Sequence, residues 1–371
     1  MMGKNIVGLL YSNSYDYCIP ELTNLRTMGS VPFGGRYRLI DFMLSNIVND
    51  GISKVGVLTK NNYRSLMDHI GMGRAWDLAR KREGIYLLPP FNSNTSGDYT
   101  NRLEAYLCSE EFLQYSKEEY VLLCDCNLVC SFDVSEMSDF HLDHNADITV
   151  GCVTGKVPNL LNVPILSVDE KQRVTDMELV SKEEGEKTYA VHLFFMRKNL
   201  LLALLRTARG HGYTDFDRDV IQKNIERLTV CAYPIPGFCR VIDSLQSYYD
   251  INMELLQYNN RVSLFNDDRP VLTKVRDDMP TIYGLESSVK NSLIADGCVI
   301  DGEVENSVLS RGVYVEKGAV VKNCVLMQGT FVGEDGSLNC VISDKNVVIK
   351  PRQSLSGAKN YPLYIAKGTV I

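Results

Sequence analysis

Residues 29–60 read GSVPFGGRYRLIDFMLSNIVNDGISKVGVLTK, and the middle of this stretch sets the fold class. From Tyr37 to Gly51 the apolar residues Ile40, Leu44, Ile47 and Val48 recur at helical spacing, and Asn49-Asp50-Gly51 supplies a stop. KVGVLTK, which follows, predicts a strand. The same alternation extends in both directions. Ile6–Leu10 predicts a short buried strand, 101–116 (NRLEAYLCSEEFLQYS) a helix, and 119–129 (EYVLLCDCNLV) a central strand; DITVGCV predicts a further strand and Lys198–Ala208 a further helix. Strands alternating with helices imply a Rossmann-like α/β domain with a mostly parallel sheet and helices on both faces. Such sheets bind ligands at the carboxyl ends of their strands. Chemistry is therefore expected at the turn after Leu10 and around Asp125.

The last third is built differently. KNSLIADGCVI (290–300), ENSVLSRGVYV (305–315), KNCVLMQGTFV (322–332) and a weaker LNCVISDKNVV (338–348) form an internal repeat. Its anchors Asn291, Asn306, Asn323 and Asn339 stand 15, 17 and 16 residues apart. A finer six-residue period runs through Val313, Ala319, Val325 and Phe331. Aliphatics at a fixed period between glycine or charged corners indicate a parallel β-helix of hexapeptides, whose coils must stack to bury their apolar faces. The expected organisation is 1–260 as the α/β domain, 261–284 as a linker and 285–371 as the β-helix.

The 371 residues are enough for two domains; 45% are hydrophobic and 23% charged, as in ordinary globular proteins. A net charge of −7 argues against nucleic-acid and membrane-surface partners. No run approaches the ~18–20 apolar residues that cross a bilayer. The start, MMGKN, has no apolar signal region, so a cytoplasmic protein is expected. Eleven cysteines, mostly inside apolar stretches, read as reduced core thiols. Cys124, Cys126 and Cys130 have no companion His/Cys cluster, which disfavours a metal site.

Several motifs together carry a family resemblance. Residues 29–60, HIGMGRAWDL (69–78), LLPPF (87–91), the strand ending in Asp125, YTDFDRDVI (213–221) and the terminal β-helix fall in the order seen in bacterial ADP-glucose pyrophosphorylases (glucose-1-phosphate adenylyltransferases). The chain resembles that family over almost its whole length. The resemblance implies a nucleotidyltransferase domain followed by a left-handed β-helix that supports oligomers. It also implies Mg²⁺-dependent attack of a sugar 1-phosphate on the α-phosphorus of ATP. Such chemistry needs backbone N–H donors and basic groups on the phosphates, and carboxylates on the metal.

Set against the family pattern, the departures gather at the site. The phosphate loop G-G-x-G-T-R-L is replaced by Tyr11-Ser12-Asn13-Ser14-Tyr15-Asp16-Tyr17, without the glycines that let a backbone approach phosphates. Met28 stands where a basic residue is expected. Asp125 matches the first metal carboxylate, a doubtful remnant on its own. The second falls on Val241, and Asp243, two residues on in an extended strand, is displaced by roughly 6–7 Å. The small Gly-Thr pair near the ligand becomes Asn101-Arg102, which fills the pocket. Lys182 is the nearest candidate for a sugar-phosphate lysine. These losses match the non-catalytic or weakly active companion subunit of the GlgD type. That reading implies no required cofactor, Mg²⁺ in the catalytic partner, and a heterotetramer with that partner.

Gly34, Gly35, Arg36 and Arg38 are the strongest surviving polar cluster. The resemblance implies that they contact a partner or an anionic metabolite effector, with Arg74 nearby; a plain tight turn is the alternative. Arg80, Lys81 and Arg82 read as a solvated helix face, and the five histidines receive no role. Two other classes lack a residue pattern that they need. An active nucleotidyltransferase with a divergent site needs a glycine-rich loop elsewhere, and none exists. A hexapeptide acyltransferase usually needs a histidine among the coils, and 285–371 contain none.

Overall fold

A computed structural model describes residues 2–81, 83–90, 99, 101–181 and 185–371. Arg82, Phe91 of the LLPPF motif and Lys182 lie outside the described residues.

The first domain is built on a nine-stranded sheet. Strand β1 (Ile6–Tyr11) lies between β2 (Lys54–Leu58) and β4 (Tyr120–Asp125), with β3 (Gly84–Leu88) outside β2, all parallel. Helix α1 (Leu39–Asn49) precedes β2, as its apolar spacing requires. Asp41 starts it by accepting the Arg38 N–H at 2.9 Å, and Gly51 at φ +74° ends it. Beyond β4 the sheet is mixed: the strand Glu186–Arg197 runs antiparallel to β4. β1 thus has parallel neighbours on both sides, which opens a crevice above the paired ends Tyr11 and Asp125. All eleven cysteines are free, and nine are buried.

Two sequence readings change. The helix expected over 101–116 breaks at Ser109 into Arg102–Cys108 and Glu110–Gln114. The basic run from Arg74 is not a helix face: Arg74–Trp76 form one tight turn, and Arg80 pairs back to Asp77 at 2.6 Å.

The second domain is a left-handed β-helix of three parallel five-stranded sheets. Its coils advance by 15, 17 and 17 residues, from Val299 to Tyr314, Phe331 and Val348. Asn291, Asn306 and Asn323 take the left-handed conformation at one corner (φ +42°, +46° and +51°), and Asn291 and Asn323 donate to the next rungs, Asn306 and Asn339, at 2.7 and 2.9 Å. The fourth corner is Cys340 at φ +51°, not Asn339. A 17-residue coil is one residue short of three hexads, and the deficit falls at this corner. The six-residue reading therefore slips by one, which turns a strand residue to the other side. Val313 and Ala319 point into the coil as expected; at the next turn Cys324 and Leu326 do so, while Val325 packs against the first domain.

Between Leu264 and Ile282 the chain runs as a strap over the first domain. Arg269 binds Asp50 and the Phe132 carbonyl, and reaches Asp133 at 2.9 Å. A buried ion pair then locks the domains together: the Arg26 guanidinium donates to both Asp344 oxygens at 2.8 and 2.7 Å, with both residues under 5% exposed. Tyr249, on the helix Leu245–Glu254, adds a hydrogen bond across the join to the Asn323 carbonyl at 2.7 Å, while its neighbour Tyr248 bonds the Pro32 carbonyl within the first domain at 2.7 Å.

Removing one member of a buried pair strands the other charge at a cost of about 3–5 kcal/mol. Asp344→Ala should lower denaturant stability by that amount. Arg26→Met with Asp344→Leu should recover most of it, measured by urea unfolding.

Candidate functional site

A cleft of about 620 Å³ opens above the carboxyl ends of β1 and β4, lined by Tyr11, Tyr15, Asp16, Lys60, Arg102 and Asp217 among others. The turn after β1 is tied down by its own side chains. Asn13 Oδ1 accepts the Lys60 N–H at 2.7 Å, Ser14 Oγ accepts the Cys126 N–H at 3.3 Å, and Asp16 Oδ1 accepts the Met28 N–H at 2.7 Å. The turn's side chains thus take up the neighbouring Lys60, Cys126 and Met28 N–H groups, backbone donors of the kind that bind anions. Burial pushes the Asp16 carboxyl up to about 6, against the pull of Asn13 and the Met28 N–H.

Arg102 holds the deepest position. Its guanidinium bonds Asp125 Oδ2 at 2.5 Å, Asp217 Oδ2 at 2.9 Å and the Tyr15 hydroxyl at 3.2 Å. His192 joins them, 3.1 Å from both Asp217 Oδ2 and the Tyr15 hydroxyl. It sits at φ +54°, where the register of its strand shifts between Ala190 and Phe194. Burial alone would lower the Arg102 pKa, but Asp125, Tyr15 and Asp217 hold it well above the ordinary value. Burial would likewise raise the Asp217 carboxyl, yet His192 and Arg102 hold it below the usual range. Burial pushes Tyr15 upward.

The sequence-assigned residues separate into those inside the cleft and those outside. Asp125 is fully buried there, bound by Arg102. Met28 turns its side chain into the core and contributes only its N–H. Val241 lies on the strand Cys239–Val241 opposite Leu128. Asp243 is engaged elsewhere, accepting the Asn159 N–H at 2.6 Å and the Ser244 hydroxyl at 2.8 Å. These residues fit Mg²⁺ poorly: the nearest charge to Asp125 is a guanidinium, and Val241 brings no oxygen. No group of three metal-ligating side chains occurs among the described residues. Asp217 and His192 escaped the sequence reading, since only the fold brings them within reach of Asp125.

A second cleft lies between the domains. Arg36, Arg38, Lys274, Arg276, Arg311 and Lys345 converge on it. Arg38 donates to the Ser65 carbonyl and hydroxyl at 2.6 and 2.9 Å. Burial, then the charges of Arg38 and Arg26, bring Lys345 down to about 7. Arg36 and Arg38 both line this cleft, while Arg74 is exposed and not part of the lining. Lys274 and Arg276 come from the strap and Arg311 and Lys345 from coil corners, segments whose convergence no local pattern reveals.

The fold and the clefts define a nucleotidyl transferase domain carrying a hexapeptide β-helix, and two family models agree: nucleotidyl transferase over residues 20–257, and GlmU-like C-terminal hexapeptide over residues 280–358. The glycogen biosynthesis protein GlgD of Bacillus subtilis (strain 168) is 34% identical across 100% of this chain and 98% of its own length. GlgD of Geobacillus stearothermophilus is 36% identical over the same shares. The glucose-1-phosphate adenylyltransferase of Clostridium perfringens (strain SM101 / Type A) is 30% identical across 90% of this chain and 87% of that enzyme. The chain belongs to the family of the GlgD glycogen biosynthesis proteins and the glucose-1-phosphate adenylyltransferases. No helix among the described residues is long and apolar enough to cross a membrane.

Asp16 gives a pH signature. A carboxyl raised from 3.8 to about 6 on folding stabilises the fold fully below about pH 4 and loses that contribution as pH rises through 6. The melting temperature of Asp16→Asn should therefore gain on that of the parent between pH 4 and 7, measured by calorimetry. A constant difference across that range would contradict the assignment.

Proposed function

We propose that this chain is a regulatory subunit of a glucose-1-phosphate adenylyltransferase in glycogen biosynthesis, itself inactive or weakly active. It works in a cytoplasmic hetero-oligomer, a heterotetramer, with the catalytic subunit. The observation that carries the reading is Arg102 bonded to both Asp125 and Asp217. In the catalytic subunit the Mg²⁺ and the ATP phosphates need carboxylates and free donors. Here one guanidinium occupies an oxygen of each carboxylate and Asp16 takes the Met28 donor. A dication entering this cleft would have to expel Arg102, and a triphosphate would meet Tyr11, Tyr15 and Asp16. No cofactor is required of this chain.

The regulatory half rests on the cleft between the domains. Six cationic side chains line it, only Arg311 of them within 4 Å of acidic side chains (Asp278 and Asp296) among the described residues, an excess that favours an anionic metabolite. Lys345 adjoins Asp344, whose partner Arg26 lies two residues before Met28, so an anion at the cleft bears on the contacts of both domains. A subunit can bias its partner when interface contacts differ between two states, and such coupling is typically 1–3 kcal/mol.

The test is ADP-glucose synthesis by this chain alone, by a catalytic relative alone and by both. The mixture should exceed the sum, through a higher kcat or lower KM, and the isolated chain should fall several orders of magnitude short, since each ~1.4 kcal/mol lost is tenfold. Turnover within tenfold of the catalytic relative would instead favour an active transferase with a divergent site. Val241→Asp alone should restore no magnesium-dependent synthesis.

Sulfate, whose charge is constant near neutrality, probes the cleft. Its affinity by calorimetry should fall severalfold as pH rises through about 7 and Lys345 loses its proton. Lys345→Met should remove that pH dependence, and Arg38→Ala should weaken binding at every pH.

A further inference from the structure

The asparagine corners of the β-helix form one wall of a groove distinct from the cleft over β1 and from the cationic cleft. Opposite them stand the helix Leu245–Glu254 and the turn that follows it. The groove holds about 460 Å³, within the size range of small-molecule sites. Gln246 bonds the Lys359 carbonyl at 2.9 Å and Tyr249 the Asn323 carbonyl at 2.7 Å, so the helix crosses the coils from the last toward the first. From Asn291 to Cys340 the groove spans successive coil corners, steps of ~4.8 Å that together make about 14 Å.

The amide ladder along this wall is broken in the middle. Asn291 donates to Asn306 and Asn323 to Asn339, but no hydrogen bond joins Asn306 to Asn323. Among the described residues Asn306 Nδ2 and Asn323 Oδ1 have no partner, and both residues line the groove. An open donor thus stands one coil from an open acceptor. A hydroxyl accepts and donates through a single oxygen, so one placed between them completes the ladder. Water could do that much, but it gains nothing from the opposite wall, where Met253 and Leu256 present apolar surface. A sugar ring meets both demands, with hydroxyls at its rim and C–H groups on its face. Asp250 and Lys359 are the charged residues of the lining, one of each sign, and Asp250 already accepts from Gln246 at 3.0 Å. Unlike the cationic cleft, the groove therefore offers an anion no net attraction.

We propose that this groove binds an uncharged linear oligosaccharide, with ring hydroxyls bridging Asn306 to Asn323 and ring faces against Met253 and Leu256. Its run across the coils is longer than one pyranose ring, which selects a chain over a free monosaccharide. The site is separate from the regulatory role proposed for this chain; only the choice of an α-1,4-linked probe rests on glycogen as its setting.

Calorimetric titration of the full chain with maltoheptaose, up to about 10 mM, tests it. Saturable binding is expected, with glucose clearly weaker. Asn306→Asp keeps the oxygen that Asn291 bonds and tolerates the left-handed corner, yet removes the open donor. It should weaken binding about tenfold, the worth of one hydrogen bond, with unchanged urea unfolding. Asn306→Gly, at ease at φ +46°, should do the same; if the asparagine served only the corner, glycine would leave the affinity intact. Met253→Ser should weaken binding as well. Cellohexaose binding in place of maltoheptaose would support the site and count against the glycogen setting alone. The proposal is overturned by no saturable heat with either sugar, by binding untouched in both Asn306 variants, or by adenosine binding there while the sugars do not.

Discussion

The guanidinium of Arg26 and the carboxylate of Asp344 are both shut away from water, and they come from opposite ends of the chain. Two buried charges are tolerable only when their contacts offset the lost hydration; here Arg26 Nη2 reaches both Asp344 oxygens, and the Lys345 N–H and Tyr364 hydroxyl add bonds to the carboxylate at 2.6 and 3.3 Å. Much of the architecture hangs on this pair. It presses one apolar face of the β-helix onto the first domain, and it fixes the walls of the cationic cleft between them. It also anchors the segment from Ile19 to Ser30, through which Met28 returns a hydrogen bond to Asp16.

The turn after β1 and the position of Asp125 are held by the same physical means, hydrogen bonds from the protein's own side chains. The Lys60, Cys126 and Met28 N–H groups are taken by side-chain oxygens of the turn, and Arg102 bonds one oxygen each of Asp125 and Asp217. The second oxygens of both carboxylates and Arg102 Nε are left buried without a hydrogen-bond partner. In the cationic interdomain cleft cations outnumber their counter-charges: Arg311 reaches Asp278 and Asp296 at 3.6 and 3.8 Å, and burial, then the charges of Arg38 and Arg26, lower the Lys345 pKa.

What the sequence conveyed followed the range of its signals. The Tyr37–Gly51 periodicity placed α1, and the Asn anchors placed the coils, because both signals are local. The coil register slipped at Asn323 because a 17-residue turn imitates three hexads until its shortened corner is seen. Asp125 was found through its strand position and family motif, and Arg102 through a substitution that adds bulk. Asp217 and His192 were not found, because 92 and 67 residues separate them from Asp125. Arg311 and Lys345 were missed for a related reason, as coil stacking rather than sequence spacing brings them beside Arg38.

His192 carries one more implication. A histidine in the left-handed region, inside a strand, holds strain on the order of 1–3 kcal/mol. Its imidazole repays that by bridging Tyr15 and Asp217. Glycine at 192 would relieve the strain and lose both contacts, so the distorted backbone and the bridge stand or fall together. The floor of the cleft is thus fixed by a bond network set against backbone strain, and loosening either would free Tyr15 and Asp217 at once.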